Sequence, residues 1–455
     1  MVTDSDKQEL RENALKCRGD ILTMTTLAAS GHPGGSMSSI DTLLTIYKYA
    51  NISPSNADSP DRDKILVSIG HISPGVYTCL GINGFFSTDA AIAMFRLAGS
   101  LYEGHIERVV PGVEWTTGNL GQGLSAGCGI ALASKLKKED SFVYVLMGDG
   151  EQQKGQISEA RRFAAKYQLD NLIAIIDYNG LQICGKTCDV MPQDLEAEYK
   201  AAGWDVFTMD GHNYDDIAKV ILAAQKSAKP LVILAQTVMG KGVSFMENQH
   251  KYHGSPLSTT DYEKAMQELG LEAVLDKYKE LRAAAKEQIE TQVYHIDKDF
   301  SYEISTGAIP RKVYGAEVST DCRSAFGTAV TEIVAASMAE GTTPALIFDC
   351  DLAGSIKTGD VEKKYPERFI QCGISEHHAA SVSGAASGYG INAFFTGFTM
   401  FAVDEVYNQL RMNDINCSNL KVASTHAGID VGEDGRTHQC IDYLGLMRNA
   451  FGFKI

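Results

Sequence analysis

The stretch between residues 142 and 177 constrains the fold most strongly. Residues 142–147 (FVYVLM) and 172–177 (LIAIID) are uninterrupted apolar runs, as expected of strands that are buried on both faces of a sheet. Between them, residues 157–168 (ISEARRFAAKYQ) carry apolar side chains at helical spacing. A strand, a helix and a strand in this order predict a right-handed crossover within a parallel sheet.

Polar residues follow both of these strands, at the place where such sheets bind ligands. Asp149 stands in Gly-Asp-Gly after the first strand, and Asn179 follows the second strand in DYNGLQICG. Because the carboxyl ends of parallel strands lie at one edge, these oxygens are expected to converge, and the glycines let a phosphate approach the backbone. Mg²⁺ prefers carboxylate and amide oxygens together with phosphate oxygens. The pair predicts a metal-bridged diphosphate, with ordinary Asp-Gly and Asn-Gly turns as the alternative.

The composition excludes several classes of partner. The 455 residues include 41 basic and 57 acidic side chains, which gives a formal net charge of −16. This charge argues against nucleic acid or an anionic membrane surface as a partner. The start, MVTDSDKQEL, does not look like a targeting segment, and no apolar run reaches the ~18 residues of a membrane span. We expect a cytoplasmic protein.

The cysteines fit the same compartment. The chain has ten of them, without a C-x-x-C pair, mostly in apolar or helical surroundings. Reduced, buried thiols are typical of a reducing compartment. Cys184 and Cys188 are close in sequence, but no second pair accompanies them, so a zinc site is not expected there.

The pattern of strands and helices predicts an α/β protein with two doubly wound parallel-sheet domains. The first is expected at residues 1–265, a helical and irregular linker at 266–316, and the second domain at 317–455. In the first domain the strand candidates are 64–70, 142–147, 172–177, 204–210 and 230–238. In the second domain the candidates are strands 345–351, 369–373, 391–397 and 420–426, with helices 323–339, 375–387 and 401–412.

The last residues, NAFGFKI (449–455), look like the entry to a further strand. The second domain is therefore expected to be incomplete at this end, with part of the protein absent or supplied by another chain.

Histidines recur in glycine-rich or strand-end segments. Each one alone is more often an ordinary surface or core residue, but their number favours proton transfer, because histidine titrates near neutral pH. These residues are His32, His71, His105, His253, His426 and His438.

Taken together and in this order, the segments closely resemble transketolase, the thiamine diphosphate enzyme of the non-oxidative pentose phosphate pathway. The resemblance covers essentially the whole chain. It rests on SGHPGGSMS (30–38), on the GDG segment followed by Asn179, on CGISEHHAA (372–380) and on GEDGRTHQ (432–439). GHPGGS and GKGVSFMEN are similar to the shorter, split-chain bacterial and archaeal branch. The resemblance implies a diphosphate-binding domain, then a pyrimidine-binding domain, with the third domain absent.

The resemblance also implies a cofactor site. Asp149, Asn179 and the backbone carbonyl of Leu181 would bind Mg²⁺ or Ca²⁺, which holds the diphosphate of thiamine diphosphate. Phe398 and Phe401 would enclose the aminopyrimidine, although a spacing of three also suits an ordinary core pair. The other implied cofactor contacts are His71, Gly118, Asn119, Leu120, Gly150 and Asp351.

Glu376 is the residue that the resemblance assigns to cofactor activation, by a hydrogen bond to the pyrimidine ring. The alternative is a plain carboxylate at a helix N-terminus, which the helix dipole favours. Around the reacting end of the sugar, hydroxyl binding and proton shuttling are assigned to His32, His105, His253 and His438.

The implied substrates are sugar phosphates. Asp434 would bind the C2 hydroxyl of the aldose acceptor, while Arg323, Ser355 and His426 would bind the terminal phosphate. The implied reaction moves a two-carbon ketol unit reversibly from xylulose 5-phosphate to ribose 5-phosphate. The active sites would lie at the subunit interface of a homodimer, with a second chain supplying the missing C-terminal part as an alternative.

Other functions remain open at this point. One is a 1-deoxyxylulose 5-phosphate synthase-like enzyme, which shares the cofactor, although SEHHA and GEDGRTHQ favour the transferase. A ketol transferase for a modified sugar is another, and an inactive or partner-dependent subunit of a split enzyme is a third.

Three positions depart from the family pattern. Lys154 stands where the family usually has glutamate, and we expect it to pair with the partner subunit's Glu159. Asp404 and Arg436 stand where relatives carry other residues, so cofactor packing or substrate choice is expected to differ.

Overall fold

The computed structural model describes residues 2–291, 300, 302–309 and 311–455. The chain forms two compact units, the first from residues 1–124 and 138–298 and the second from residues 125–137 and 299–455. Segment 125–137 therefore packs with the second unit although the segments on both sides of it belong to the first. The irregular connector predicted up to residue 316 lies in part outside the described residues.

The first unit contains a parallel sheet in the order β1-β2-β3-β7-β6, and a short antiparallel hairpin of β4 and β5. The strands are β1 (Lys64–Val67), β2 (Val143–Gly148), β3 (Leu172–Tyr178), β4 (Leu181–Gln182), β5 (Gly185–Lys186), β6 (Asp205–Asp210) and β7 (Leu231–Gln236). Residues 143–147 of β2 and 172–177 of β3 are buried along their whole length, as their unbroken apolar sequences predict.

The helices up to residue 291 begin and end at recognisable signals. A capping box between Thr3 and Asp6 starts the first one, and left-handed Gly270 ends the tenth. They are α1 (Asp4–Leu27), α2 (Pro33–Tyr49), α3 (Ser73–Ile82), α4 (Thr88–Met94), α5 (Gly123–Lys137), α6 (Gly155–Lys166), α7 (Thr187–Val190), α8 (Leu195–Ala201), α9 (Tyr214–Ala224), α10 (Thr259–Leu269) and α11 (Leu275–Thr291). Short 3₁₀ helices at Gly70–Ile72, Gly150–Gln153 and His250–Tyr252 follow strand ends or loops that matter for the site.

The core of the first unit lies between its sheet and the helices that cover it. Ile40, Leu43 and Ile46 of α2 and Ile217 and Ile221 of α9 belong to one cluster of fully or almost fully buried side chains, together with residues of the sheet. Helix α2 is buried over nearly its whole length. Burying this apolar surface stabilises the unit, and it fixes the helix that begins next to His32.

The second unit contains a parallel sheet in the order β11-β10-β8-β9. Its strands are β8 (Ala345–Asp349), β9 (Phe369–Gln371), β10 (Asn392–Phe398) and β11 (Lys421–Thr425). Its helices are α12 (Cys322–Ala336), α13 (Ala353–Ile356), α14 (Gly359–Lys364), α15 (Glu376–Ser387), α16 (Tyr407–Ile415) and α17 (Tyr443–Met447). Val330, Val334 and Ile347 are fully buried in its core.

Most of the predicted strands and helices are confirmed, with two differences in the second unit. The helix expected at 401–412 begins as a π-helix, Met400–Asp404, and continues as α16. The strand entry expected at 449–455 is wrong. There the backbone amide of Gly452 donates to Asp414 Oδ1 at 2.7 Å and that of Phe453 donates to the Ala450 carbonyl at 3.1 Å, so turn and side-chain bonds replace a strand ladder.

Among the described residues, no helix combines the length and the apolar character that crossing a lipid bilayer requires.

Candidate active site

The carboxyl ends of β2 and β3 bring the Asp149 and Asn179 segments together. Asp149 is buried, and its two carboxylate oxygens accept hydrogen bonds from the backbone amides of Gly150 (2.7 Å) and Gly180 (2.6 Å). Asn179 Oδ1 accepts the backbone amide of Leu181 at 3.0 Å, which forms a local side-chain turn. Because Gly180 follows Asn179 directly, both predicted metal ligands lie at one corner of the sheet edge.

The carbonyl of Leu181 points away from the β4–β5 hairpin. Leu181 lies opposite Lys186, and the next pair outward is bonded, since the Thr187 amide donates to the Gly180 carbonyl at 3.0 Å. In antiparallel strands, bonded pairs alternate with pairs whose backbone groups face outward. The Leu181 carbonyl is therefore directed out of the ladder, as a metal ligand requires.

Burial, followed by the neighbouring carboxylate of Asp177, raises the pKa of Asp149 to about 7. A divalent cation would favour the ionised form of this buried carboxyl, so the donor set fits a metal. The described residues contain no cluster of three His, Cys, Asp or Glu side chains arranged for a metal.

Asp177, the residue that raises this pKa, was not among the predicted site residues. It is 2 % exposed at the end of β3 and accepts hydrogen bonds from Ser38 (2.5 Å), Ser39 (2.9 Å), Asn179 Nδ2 (3.2 Å) and the Thr237 hydroxyl. These bonds tie α2 and the segment after β7 to the end of β3. A carboxylate at the end of an apolar run was the signal in the sequence.

Glu151 is a second residue that sequence reasoning missed. Its side chain is 2 % exposed and accepts the backbone amides of Gly121 (2.7 Å) and Gly148 (3.3 Å) as well as the Ser68 hydroxyl. Burial raises the pKa of Glu151. The residue thus fixes the loop before α5 to the end of β2, and GDGEQQKG alone does not distinguish it from a surface glutamate.

The loop at residues 118–120 lies beside one of the histidines. A β-carbon at Gly118 would come 3.5 Å from His105 Cδ2, so the loop passes close to this ring. The preceding Thr117 donates its hydroxyl to the Val67 carbonyl at 2.6 Å, which attaches the loop to the end of β1. Asn119 is partly buried and Leu120 is 37 % exposed, so this loop offers polar and apolar groups next to His105.

The structure brings four of the predicted histidines into one cluster. The ring centre of His32 lies 5.0 Å from that of His71, 5.8 Å from that of His253 and 6.1 Å from that of His105. His71 and His253 are 5.2 Å apart by the same measure. His32 immediately precedes α2, which Pro33 begins with a preset backbone angle.

The four imidazoles are held neutral. Burial, followed by the charges of His253, Arg96 and His105, lowers the pKa of His32 to about 4. Burial lowers the pKa of His71 well below its ordinary value, and it also lowers those of His105 and His253. The Nδ1 atoms of His32 and His253 are buried and have no hydrogen-bond partner among the described residues. Neutral rings with unused nitrogens can bind hydroxyl groups and accept protons.

In the second unit, aromatic rings gather at the ends of β10 and β11. Phe398 and Phe401 lie 6.1 Å apart between ring centres, with their planes inclined by 23°. The ring of His426 is 3.9 Å from Phe398, and that of His438 is 5.2 Å from Phe401. The described part of this unit thus holds a partly open aromatic group with two imidazoles at its side.

Arg323 meets the predicted phosphate-binding residues in the same unit. Its Nη1 donates to the Ser355 carbonyl at 3.2 Å and lies 3.4 Å from His426 Nε2. A cavity of about 500 Å³ adjoins Arg323 and His426, with Asp434 also on its wall. Burial, followed by the charge of Arg323, lowers the pKa of His426. The wall also carries the carboxylates of Asp321, Asp430 and Glu433.

Asp351 and Glu376 lie at the ends of neighbouring strands. Asp351 follows β8 with a φ of 61°, and its backbone amide donates to Gln371 Oε1 at 2.9 Å. Its side chain is exposed. Glu376 is the first residue of α15 and is partly buried. The helix dipole favours a carboxylate there, so this position suits a structural role as well as a catalytic one.

Lys154, Asp404 and Arg436, which depart from the family pattern, are all exposed. Asp404 lies on the wall of a second cavity, of about 410 Å³, next to Cys440. The expected pair between Lys154 and the partner subunit's Glu159 stays a prediction.

Two family models match the chain. The model described as "Transketolase, thiamine diphosphate binding domain" matches residues 16–304, and "Transketolase, pyrimidine binding domain" matches residues 323–455.

Individual relatives agree with these matches. The human transketolase is 29 % identical over 450 residues, which span 97 % of this chain and 69 % of that protein. An apulose-4-phosphate transketolase subunit from Phocaeicola vulgatus is 38 % identical over 257 residues, 56 % of this chain and 91 % of the relative. The crystal structure of transketolase from Campylobacter jejuni superposes with a TM-score of 0.81 at 28 % identity, covering 97 % of this chain and 73 % of that one. The chain therefore belongs to the transketolase family of thiamine diphosphate-dependent transferases.

Proposed function

We propose that this chain transfers a two-carbon ketol unit reversibly from a ketose phosphate, xylulose 5-phosphate, to an aldose phosphate, ribose 5-phosphate, in the non-oxidative pentose phosphate pathway. The observation that carries the proposal is the cluster of His32, His71, His105 and His253, whose rings are neutral and whose ring centres are about 5 to 6 Å apart. It belongs to the same compact unit as the sheet edge that carries Asp149.

Residues of both units would contact the family cofactor and a metal. Asp149, Asn179 and the Leu181 carbonyl would hold Mg²⁺ or Ca²⁺ at the diphosphate. Gly150 and the 118–120 loop would line the diphosphate and the thiazolium, with His71 nearby. Phe398 and Phe401, together with Asp351, would contact the organic rings. When bound, thiamine diphosphate supplies the electron sink for breaking a carbon–carbon bond next to a carbonyl group.

The histidines would handle the protons of the sugar. The unpartnered Nδ1 atoms of His32 and His253 are buried acceptors or donors for hydroxyl groups. Because burial keeps these rings neutral, each can take a proton from a sugar hydroxyl and return it in the reverse step. His105, at the edge of the cluster, and His438, in the second unit, would complete the set.

Glu376 would donate or accept a proton at the pyrimidine ring. Its place at the first turn of α15 fixes the carboxyl on a rigid element, because residues 378–387 of that helix are buried. A catalytic carboxyl on such an element keeps its orientation between turnovers.

Recognition of the substrate would fall to the second unit. Arg323, Ser355 and His426 would bind the terminal phosphate, since guanidinium and hydroxyl donors suit phosphate oxygens. Asp434, on the same cavity wall, would bind the C2 hydroxyl of the acceptor.

For the assembly, we assign diphosphate binding to residues 1–265 and pyrimidine binding to residues 317–455, joined by 266–316. The active enzyme would be a cytoplasmic homodimer with its active sites at the subunit interface. The relative that is named a transketolase subunit supports the alternative of an additional chain.

The decisive experiment incubates the purified chain with thiamine diphosphate, Mg²⁺, xylulose 5-phosphate and ribose 5-phosphate. Sedoheptulose 7-phosphate is expected, from a species that elutes as a dimer. Product only after a second polypeptide is added would identify a split enzyme. Consumption of pyruvate and glyceraldehyde 3-phosphate instead would show a 1-deoxyxylulose 5-phosphate synthase, and a fully active monomer would contradict the shared active site.

A second candidate is ketol transfer to or from a modified sugar. The relative named for apulose 4-phosphate is 38 % identical over its match, whereas the human enzyme is 29 % identical over its longer one. A kcat/KM for apulose 4-phosphate above that for xylulose 5-phosphate would favour this substrate.

A further inference from the structure

A buried polar cluster surrounds Asp41 of α2, farther along the helix than the first turn, which follows His32. We infer that one member of this cluster, His212, is a positioning residue for ketol transfer: it holds the backbone after β7 so that His253 keeps its place beside His32. The inference rests on the proposed function of those two histidines. His212 itself touches neither of them through any described contact.

Asp41 of α2 is the centre of this cluster. Its side chain is 4 % exposed and accepts hydrogen bonds from Arg18 Nη2 (2.5 Å), the Tyr214 hydroxyl (2.6 Å) and His212 Nδ1 (2.7 Å). A carboxylate buried with a guanidinium and two further donors has its charge compensated and cannot easily change partners. Asp41 therefore anchors the ring of His212 to α2.

The other nitrogen of the ring fixes the tautomer. The backbone amide of Val238 donates to His212 Nε2 at 2.9 Å. An amide N–H can only donate, so Nε2 must carry the lone pair and Nδ1 the proton that Asp41 accepts. The imidazole is thus a directional bridge from a carboxylate in α2 to a backbone group after β7.

The segment that His212 holds continues to the catalytic cluster. The Gly240 amide donates to the Gly34 carbonyl at 3.0 Å, and the Asn248 amide donates to the Met239 carbonyl at 3.0 Å. A β-carbon at Gly34 would lie 2.8 Å from Met239 Cγ and 2.7 Å from the Tyr252 carbonyl oxygen. The chain after β7 therefore packs directly on the first turn of α2, which follows His32, and Tyr252, the neighbour of His253 in the chain, packs on the same turn.

The two hydrogen bonds of His212 have separable consequences. The bond to Asp41 belongs to a buried charged cluster, whose loss lowers stability. The bond to Val238 fixes the position of a loop, and a displacement of about 1 Å at a reacting group reduces turnover by about 10²-fold. If His212 had a purely structural role, kcat would fall in parallel with the unfolding temperature. If it is a positioning residue, kcat and the unfolding temperature would change independently.

The test compares His212→Asn with His212→Gln. The asparagine amide reaches the place of Nδ1 and keeps the donor to Asp41, but it offers Val238 no acceptor. The glutamine oxygen reaches the place of Nε2 and keeps the acceptor for Val238, but the bond to Asp41 is lost. We expect H212N to keep its unfolding temperature and to lose about 10²-fold in kcat with KM nearly unchanged. H212Q should melt lower and keep the larger share of kcat.

A second readout does not need turnover. In a crystal structure of H212N the distance between the ring centres of His32 and His253, 5.8 Å in the wild type, should change, while in H212Q it should not. A kcat that falls in parallel with the unfolding temperature in both variants, or an H212N variant with wild-type kcat and unchanged rings, would overturn the inference. If the wild type itself transfers no ketol unit but the rings of H212N still move, the proposed function fails and the positioning contact stands.

Discussion

One strand in each parallel sheet carries a buried aspartate at or next to its last residue, followed two residues later by a candidate cofactor ligand. In the first unit Asp177 is the last residue but one of β3 and precedes Asn179. In the second unit Asp349 ends β8 and precedes Asp351. Asp349 is completely buried and accepts the Leu352 amide at 2.8 Å and Gln371 Nε2 at 3.2 Å.

The two candidate ligands differ sharply despite this common support. Asn179 is partly buried and bonded through both ends of its amide, to Leu181 and Asp177. Asp351 is exposed and lies in a left-handed conformation that L-residues rarely adopt. The fold of the first unit therefore preorganises Asn179 through two hydrogen bonds, whereas the second unit presents the Asp351 side chain outward.

The largest effect that tests this comparison is expected at Glu376. Glu376→Gln removes the ionisable carboxyl and should lower kcat by about 10²–10⁴-fold, the range for losing a general acid–base group. Steady-state kinetics measure the loss. Glu405→Gln is the control, because Glu405 is an exposed carboxylate 3.7 Å from His377 in the same unit. An equal loss of kcat in both variants would mean that Glu376 acts through its negative charge and not by proton transfer.

The next effect concerns the cavity at Arg323. Arg323→Gln removes a charge-assisted donor worth about 1.5–3 kcal/mol, so KM for the phosphorylated sugar should rise about 10- to 100-fold with kcat nearly unchanged. Arg448→Gln loses the same charge at an exposed position of the same unit that does not line the cavity. If Arg448→Gln raises KM as much, long-range charge and not direct contact explains phosphate recognition.

The binding of metal should depend on pH through Asp149. The pKa of this carboxyl is raised to about 7, so below that pH a cation must displace a proton. The affinity for Mg²⁺ in the presence of thiamine diphosphate should rise about tenfold per pH unit up to about pH 7 and level off above it. Calorimetric titrations in two buffers of different ionisation enthalpy measure both affinity and proton release. A flat profile without proton release would show that Asp149 is not a ligand.

The smallest effect is on stability in acid. The pKa of His32 is lowered to about 4, below that of an unfolded histidine, so the unfolded chain binds more protons as the pH falls. The contribution of the His32 ring to the free energy of unfolding should be fully present above about pH 6.5. It should decline toward pH 4 by at most about 1.4 kcal/mol per pH unit. Denaturant unfolding of His32→Gln should show a shallower decline, and the exposed control His250→Gln should show the wild-type slope. Identical slopes in all three proteins would contradict the neutral cluster.

The parts of the fold that the sequence predicts well are those with strong local patterns. Strands β2 and β3 are unbroken apolar runs, and the parallel crossover between them follows from general rules of chain connection. The proximity of Asp149 and Asn179 follows from the same rules, since both residues stand at carboxyl ends of neighbouring strands.

What the sequence does not reveal depends on contacts between distant residues. Glu151 differs from a surface glutamate only because Ser68 and Gly121 approach it, and both belong to other segments. The clustering of His32 with His253 depends on the path of the chain after β7. Residues 449–455 carry a strand-like composition, but the Gly452 amide donates to Asp414 and the amides of Ala450 and Phe453 donate to carbonyls three residues earlier.

Helix α5 shows that neighbourhood in the chain and neighbourhood in space can disagree. Its residues 125–137 belong to the second unit, and Gly129 faces α15 so closely that a β-carbon there would meet the Val382 carbonyl oxygen and the Ala385 side chain. A cut near residue 298 would leave this helix covalently attached to the wrong half, with an apolar side exposed. If the protein were made as two polypeptides divided there, the packing of α5 on α15 would become an intermolecular contact. Each polypeptide would then depend on the other for its solubility.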